Sequence, residues 1–149
     1  MLNASDPLFA GRLDLDRIGL YGGAVGQMTV QTCSNEKRLK CAVLADATGM
    51  QSNPDGLQVP FLAEVPETNS SYAENLWLFN RATTNAALLQ IRGANHFSPC
   101  DVGWTAQIPW GRGPARAADA CYLWFFDTYL KGEAPPFPSN PEIYNVQRK

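Results

Sequence analysis

His96 is the only histidine in the chain, and it is the residue with the clearest capacity for acid–base chemistry. An imidazole that works as a general base needs a carboxylate that fixes its tautomer and a nucleophile whose proton it accepts. Asp46 and Glu67 each follow a short apolar segment, and either carboxylate could orient the imidazole. In "RIGLYGGAVG" an apolar segment runs into a glycine-rich turn that could expose a nucleophile, but Ala24 stands at the centre of that turn.

A second nucleophile candidate is Cys100, which lies four residues beyond His96. A nucleophile and its base approach each other from opposing loops, whereas Cys100 shares the loop of the base. We therefore expect Cys100 to be a buried thiol or the disulfide partner of Cys121. Asp101, at the end of the same segment, is expected to structure the loop by accepting hydrogen bonds from backbone amides.

These residues can act together only if secondary-structure elements bring them to one edge of the fold. Short apolar segments predict four strands, and helical patterns of apolar residues predict three helices, the last of which ends at Gly132. Ser70 or Ser71 is expected to cap the second helix, with Glu74 placed for a capping box. We expect strands at residues 17–21, 40–46, 58–65 and 85–93, and helices at residues 24–34, from 70 onward, and at 115–132.

The alternation of strands and helices predicts an α/β fold. Most of the strands are apolar through consecutive residues, so helices should cover both faces of a mostly parallel sheet of about four strands. Functional residues of such sheets collect at the carboxyl ends of the strands, and this rule selects the turn at residues 22–26, Asp46, Glu67 and the loop that carries His96. Residues 1–133 are assigned to this domain, and residues 134–149 to a proline-rich tail that extends over the surface.

The composition narrows the classes of function. The 149 residues are 45% hydrophobic and 17% charged, which fits a globular protein, and the net charge of −2 gives no electrostatic footprint for nucleic acid. No apolar run is long enough for a membrane span, and the first residues do not resemble a signal peptide. The cysteines form no CxxC pair, so neither a zinc site nor a thioredoxin-type site is expected. The even number of cysteines permits disulfide bonds among Cys33, Cys41, Cys100 and Cys121 but does not show them.

Over residues 12 to about 133, the chain resembles the C-terminal half of an α/β-hydrolase, and within that superfamily the platelet-activating-factor acetylhydrolase and dienelactone-hydrolase-like esterases. "LDLDRIGLYGGAVG" is similar to the strand and nucleophile elbow, which usually contain G-x-S-x-G. "RLKCAVLAD" resembles the next strand, "VPFLAEVPE" the one after it, "GANHFSPCD" the histidine loop, and "YLWFFDTYLKGE" the closing helix. The resemblance implies a partial α/β-hydrolase fold.

The resemblance also implies roles for individual residues. Ala24 occupies the position of the serine nucleophile, His96 is the base, and Asp46 is its orienting acid. Glu67 is the alternative acid, because many α/β-hydrolases carry the acid after the following strand. The backbone amide of Val25 would donate one hydrogen bond to the oxyanion.

The glycines of the elbow are expected to have a steric role. Gly22 and Gly26 would allow the strained turn and the close packing of the helix against the strand. Beyond the elbow, Trp104 and Trp110 could equally line an acyl pocket or anchor the long loop.

The function that the resemblance implies is carboxylic ester hydrolysis of the acetylhydrolase or esterase type, including lipid degradation, on a small ester or lipid-like substrate and without a cofactor. Because Ala24 has no oxygen, the chain as written is expected to be inactive. The alternatives are a non-catalytic ligand-binding or interaction module, and a fragment of a longer hydrolase. The family's first half should precede this segment, so we expect an open sheet edge at residues 17–21, covered by a second copy, a separate chain or the N-terminal segment.

Overall fold

The computed structural model of the chain describes residues 6–24, 26–49, 57–68, 71–98 and 113–149. Strands and helices alternate through most of this part of the chain. The elements are β1 (Ile18–Gly23), α1 (Gly26–Asn35), β2 (Leu39–Ala45), β3 (Phe61–Pro66), α2 (Tyr72–Arg81), β4 (Ala86–Ile91), α3 (Gly113–Phe126) with a π-helical continuation (Asp127–Lys131), and β5 (Ile143–Arg148).

The described strands form one sheet in the order β1-β2-β3-β4-β5. The pairs β1–β2, β2–β3 and β3–β4 are parallel, and β5 is antiparallel to β4. The predicted α/β class with a mostly parallel sheet is therefore confirmed. The sheet has one strand more than expected, because residues 143–148 of the predicted tail pair with β4 instead of only crossing the surface.

Apolar packing covers both faces of the sheet, as the consecutive apolar residues predicted. On one face, Leu44 and Phe61 pack with Leu78 of α2, and Cys33 of α1 belongs to the same cluster. On the other face, a second cluster of buried strand residues packs against α3, with Phe125 among its buried members. The sheet thus lies between α1 and α2 on one side and α3 on the other, and β2 and β3 are buried almost throughout.

The last helix ends where the sequence predicted. α3 passes into the π-helical segment, and Gly132 terminates it in the left-handed conformation at φ +71°. Glycine carries no Cβ and adopts this conformation without steric cost, which explains the stop. None of the helices in the described part of the chain is long and apolar enough to cross a membrane.

Candidate active site

The turn after β1 holds Ala24 in a left-handed backbone conformation with φ +57°. A residue with a Cβ pays roughly 1–2 kcal/mol for this conformation, so surrounding bonds must impose it. The Ala24 N–H donates to the carbonyl of Ala45 at 3.2 Å. The Ala24 carbonyl accepts from both the N–H and the hydroxyl of Thr48, at 3.0 and 2.9 Å. Hydrogen bonds to the backbone of Ala24 therefore fix this turn beside the carboxyl end of β2.

Gly22, just before the turn, lies against α1. A Cβ at this position would stand 1.9 Å from Oγ1 of Thr29, which is buried in α1. No side chain fits there, so the close approach of helix and strand requires glycine, as the sequence analysis expected of Gly22. Gly26 is the first residue of α1, while the proposed oxyanion residue Val25 lies outside the described residues.

Asp46 follows β2 directly and is 1% exposed. Its backbone is also left-handed, with φ +47°, and its N–H donates to the carbonyl of Glu64 on β3 at 2.8 Å. The hydroxyl of Ser71 donates to Oδ1 of Asp46 at 2.6 Å. Charge-assisted hydrogen bonds of this kind hold a buried carboxylate in one orientation.

His96 lies on the loop that follows β4, and its side chain is 42% exposed. Its Nδ1 lies 2.5 Å from Oδ2 of Asp46, so the structure brings together the two side chains that the sequence analysis paired. The ring of Phe97 packs edge-on against the imidazole at 5.2 Å between centroids. Asn95 shapes the loop by accepting from the N–H of Phe97 at 2.8 Å. With Nδ1 directed at a carboxylate, Nε2 is the nitrogen that could accept a proton.

Glu67, the alternative acid, has a different partner. Its Oε2 accepts from the N–H of Gly93 at 2.8 Å, and its own N–H donates to the carbonyl of Ile91. It therefore ties the end of β3 to the start of the histidine loop, while the imidazole of His96 is directed at Asp46.

Ser71 is a site residue whose role the sequence analysis did not identify. It is the N-cap residue of α2, as predicted, but its side chain makes no capping bond and donates to Asp46. Glu74 likewise reaches Gly49, whose N–H donates to it at 2.6 Å, so the expected capping box is wrong. The signal that could have revealed Ser71 is its place just beyond β3, at the same sheet edge as Asp46.

Several residues considered for the site lie outside the described part of the chain: Cys100, Asp101, Trp104 and Trp110. The other three cysteines, Cys33, Cys41 and Cys121, are buried free thiols. Burial raises the pKa of Cys33 to about 11 and the pKa of Cys41 and Cys121 to about 12, so none is a thiolate at neutral pH.

No protein-family model matches the chain, and no curated protein matches it significantly. Among solved structures, the chain is similar to a ferulic acid esterase from Streptomyces cinnamoneus, with a TM-score of 0.71 and 25% sequence identity. The match covers 96% of this chain and 51% of that one, so the chain spans about half the length of the esterase. The chain therefore has a hydrolase-type fold like that of an esterase. A special closeness to acetylhydrolases or dienelactone hydrolases remains a prediction.

Proposed function

We propose that the chain carries the site of a carboxylic ester hydrolase in which the nucleophile is replaced by Ala24. The observation that supports this most directly is the bond between His96 and the buried Asp46, beside a strained turn that presents a side chain. The Ala24 N–H is bonded to Ala45, the neighbour of Asp46, so the turn and the acid share one edge of the sheet.

In the proposed chemistry, a hydroxyl at position 24 would attack the ester carbonyl carbon while Nε2 of His96 takes its proton. The tetrahedral intermediate would collapse, and the alcohol would leave with that proton. Water, activated by the same imidazole, would then release the acid. Backbone N–H groups at the start of α1, with that of Val25 first among them, are the proposed oxyanion donors.

Ala24 prevents this reaction at its first step, because a methyl group cannot attack the ester carbonyl carbon. Loss of the serine from a triad that acts as a unit costs on the order of 10⁶-fold in turnover. We therefore propose that the chain as written has no covalent catalysis. Its ligand would still be a small carboxylic ester, and the name of the structural neighbour makes feruloyl esters the first candidates beside acetyl and lipid-like esters.

The experiment that tests this proposal is the variant Ala24→Ser. It is expected to hydrolyse p-nitrophenyl acetate or a feruloyl ester well above the native chain. Ala24→Ser combined with His96→Gln is the matched control, because it keeps the hydroxyl and removes the base. If the single variant is no faster than the native chain, or if the double variant keeps its rate, the proposal is wrong.

The second candidate is a non-catalytic module that binds an ester or a partner, and the absence of an oxygen at Ala24 favours it. This candidate predicts that Ala24→Ser leaves hydrolysis at background while the native chain still binds the ester. Turnover of Ala24→Ser separates the two candidates, and isothermal titration of the native chain with a non-hydrolysable ester analogue checks the binding that both of them predict.

We also propose that further polypeptide covers the edge of β1, from a second copy or from another chain. β1 pairs only with β2 among the described strands. Large apolar side chains of the first part of the chain are exposed, including Leu8 at 69%, Tyr21 at 45% and Met28 at 65%. Such an edge favours association. Light scattering after size exclusion should show an oligomer or aggregation, and a stable monomer would contradict the proposal.

A further inference from the structure

Glu64 is a buried carboxyl group that the proposed reaction does not use. It lies on β3, opposite Ala45 of β2 and Leu89 of β4 in the strand register, and it is 1% exposed. Its carbonyl accepts the N–H of Asp46 at 2.8 Å. The main chain of Glu64 is therefore hydrogen-bonded to that of the proposed acid, Asp46. The side chain of Glu64 is enclosed by apolar strand residues on both sides.

The polar environment of the Glu64 side chain is sparse. The hydroxyl of Tyr122 on α3 donates to Oε2 at 3.1 Å, and Oε1 has no partner among the described residues. The other titratable groups around it are Cys121 on α3, Asp46 at the end of β2, and Tyr21 on β1, whose ring packs against that of Tyr122 at 5.5 Å. No cation faces this carboxyl group in the described part of the chain.

Two neighbouring buried carboxyl groups share this region, and they differ in their partners. Asp46 accepts from Ser71 and is paired with His96, whereas Glu64 has one neutral donor. The negative charge is therefore better accommodated on Asp46 and the proton on Glu64. In agreement, burial raises the pKa of Glu64 to about 8, the bond from Tyr122 lowers it, and the charge of Asp46 raises it.

We propose that Glu64 is a positioning residue for the Asp46–His96 pair. As a neutral carboxyl group bound to Tyr122, it places no second negative charge beside Asp46, so that His96 can act as a base. The carbonyl of Glu64 fixes the backbone of Asp46, and its protonated side chain leaves Asp46 as the charged member of the two acids. Ionisation of Glu64 adds a second negative charge beside Asp46 and favours the positively charged form of His96, which is no longer a base. This inference rests on the proposed function only in so far as it calls Asp46 and His96 a catalytic pair.

The test uses the full native chain and needs no turnover. Because His96 is the only histidine, its imidazole Cε1–H gives a single histidine signal in a proton NMR titration. Besides the step of its own protonation, the signal should show a second displacement with a midpoint near pH 8, where Glu64 ionises. Cys121, whose pKa burial raises to about 12, titrates outside this range.

Two variants assign the second displacement. Glu64→Gln keeps the shape and the acceptor for Tyr122 but cannot ionise, so the displacement should disappear. Tyr122→Phe removes the bond that lowers the pKa of Glu64, so the midpoint should move to higher pH. Tyr122→Phe also decides the case if Glu64→Gln does not fold.

Glu67→Gln is the matched control, since it removes an exposed carboxylate of the same strand end and should leave the displacement in place. A single-step titration of His96 in the native chain would overturn the inference. So would a second step that survives Glu64→Gln, or one that Tyr122→Phe does not move. Failure of Ala24→Ser to hydrolyse esters would leave these signals unchanged, so the two proposals can fail separately.

Discussion

On the acid–base side of the site, both carboxylate oxygens of Asp46 are engaged, one by Ser71 and the other by His96. At the proposed nucleophile position, Ala24 contributes only a methyl group, and the hydrogen bonds that it makes to other described residues use its backbone N–H and carbonyl. The carboxylate of Asp46 is thus held by other side chains, whereas the turn at Ala24 is held through the backbone of Ala24.

This difference explains why the shape of the turn does not depend on the side chain at position 24. The bonds from Ala24 to Ala45 and Thr48 do not involve the side chain at position 24, so exchange of that side chain leaves them intact. The carboxylate of Asp46, in contrast, owes its placement to polar side chains that lie far from it in sequence. Exchange of the side chain at position 24 is therefore expected to be a local change, whereas replacement of Asp46 should disturb both the proposed chemistry and the folding.

The largest expected effect concerns the acid. In the Ala24→Ser background, Asp46→Asn should lower kcat by about 10³- to 10⁴-fold, because the amide favours the wrong tautomer of His96. Glu67→Gln in the same background should cost far less, since Glu67 is bonded to Gly93. Steady-state kinetics on one p-nitrophenyl ester compares the loss of kcat in the two variants. A larger loss in Glu67→Gln than in Asp46→Asn would show that Glu67 is the acid.

A smaller effect, on the order of a few kcal/mol, is expected in the pH dependence of stability. The folded-state pKa of Glu64 is raised from 4.5 to about 8, so the folded chain binds its proton more tightly than the unfolded chain does. The stabilisation from this proton is fully present below about pH 4.5 and is lost as the pH rises to about 8. Urea unfolding across this range should show the decline in the native chain.

Glu64→Gln should remove that decline, because glutamine does not titrate, and should leave the chain more stable than the native one at pH 8. An unchanged pH dependence in this variant would mean that Glu64 is already ionised in the fold.

A third prediction concerns the packing of the elbow. Gly22→Ala should destabilise the fold by about 1–3 kcal/mol, because the new Cβ would overlap with Thr29. Gly23→Ala is the matched control one residue along, where the nearest atom to a Cβ is the carbonyl oxygen of Ala45 at 3.5 Å, an ordinary contact. Equal stabilities of the two variants in urea unfolding would mean that α1 does not pack closely enough against β1 to exclude a side chain at position 22.

The smallest effect tests the strain of the turn itself. Ala24→Gly should stabilise the fold by about 0.5–1 kcal/mol, because glycine adopts φ +57° without steric cost and this outweighs the added freedom of the unfolded chain. Ala24→Ser keeps a Cβ and should give no such gain. A loss of stability in the glycine variant would indicate that the backbone at this turn is not strained.

Much of the fold could be predicted from the sequence, because β1 to β4 are short apolar runs between helical patterns. The rule that strand ends share an edge selected His96, Asp46 and Glu67 together, and only the family resemblance favoured Asp46, to which the structure directs the imidazole. The fifth strand was missed, since "IYNVQR" follows several prolines and is not a run of consecutive apolar residues. Ser71 was assigned to the wrong partner because capping is a local pattern, whereas its bond to Asp46 spans 25 positions of the chain.

The central claim is that the backbone at position 24 still presents a side chain to His96, and covalent labelling tests it most directly. Intact-mass spectrometry after incubation with a fluorophosphonate should show one adduct on Ala24→Ser, and none on the native chain. The same reagent should leave Ala24→Ser combined with His96→Gln unlabelled or nearly so, because the hydroxyl then lacks its base. An unlabelled Ala24→Ser variant that is folded, or equal labelling of the native chain, would contradict the account.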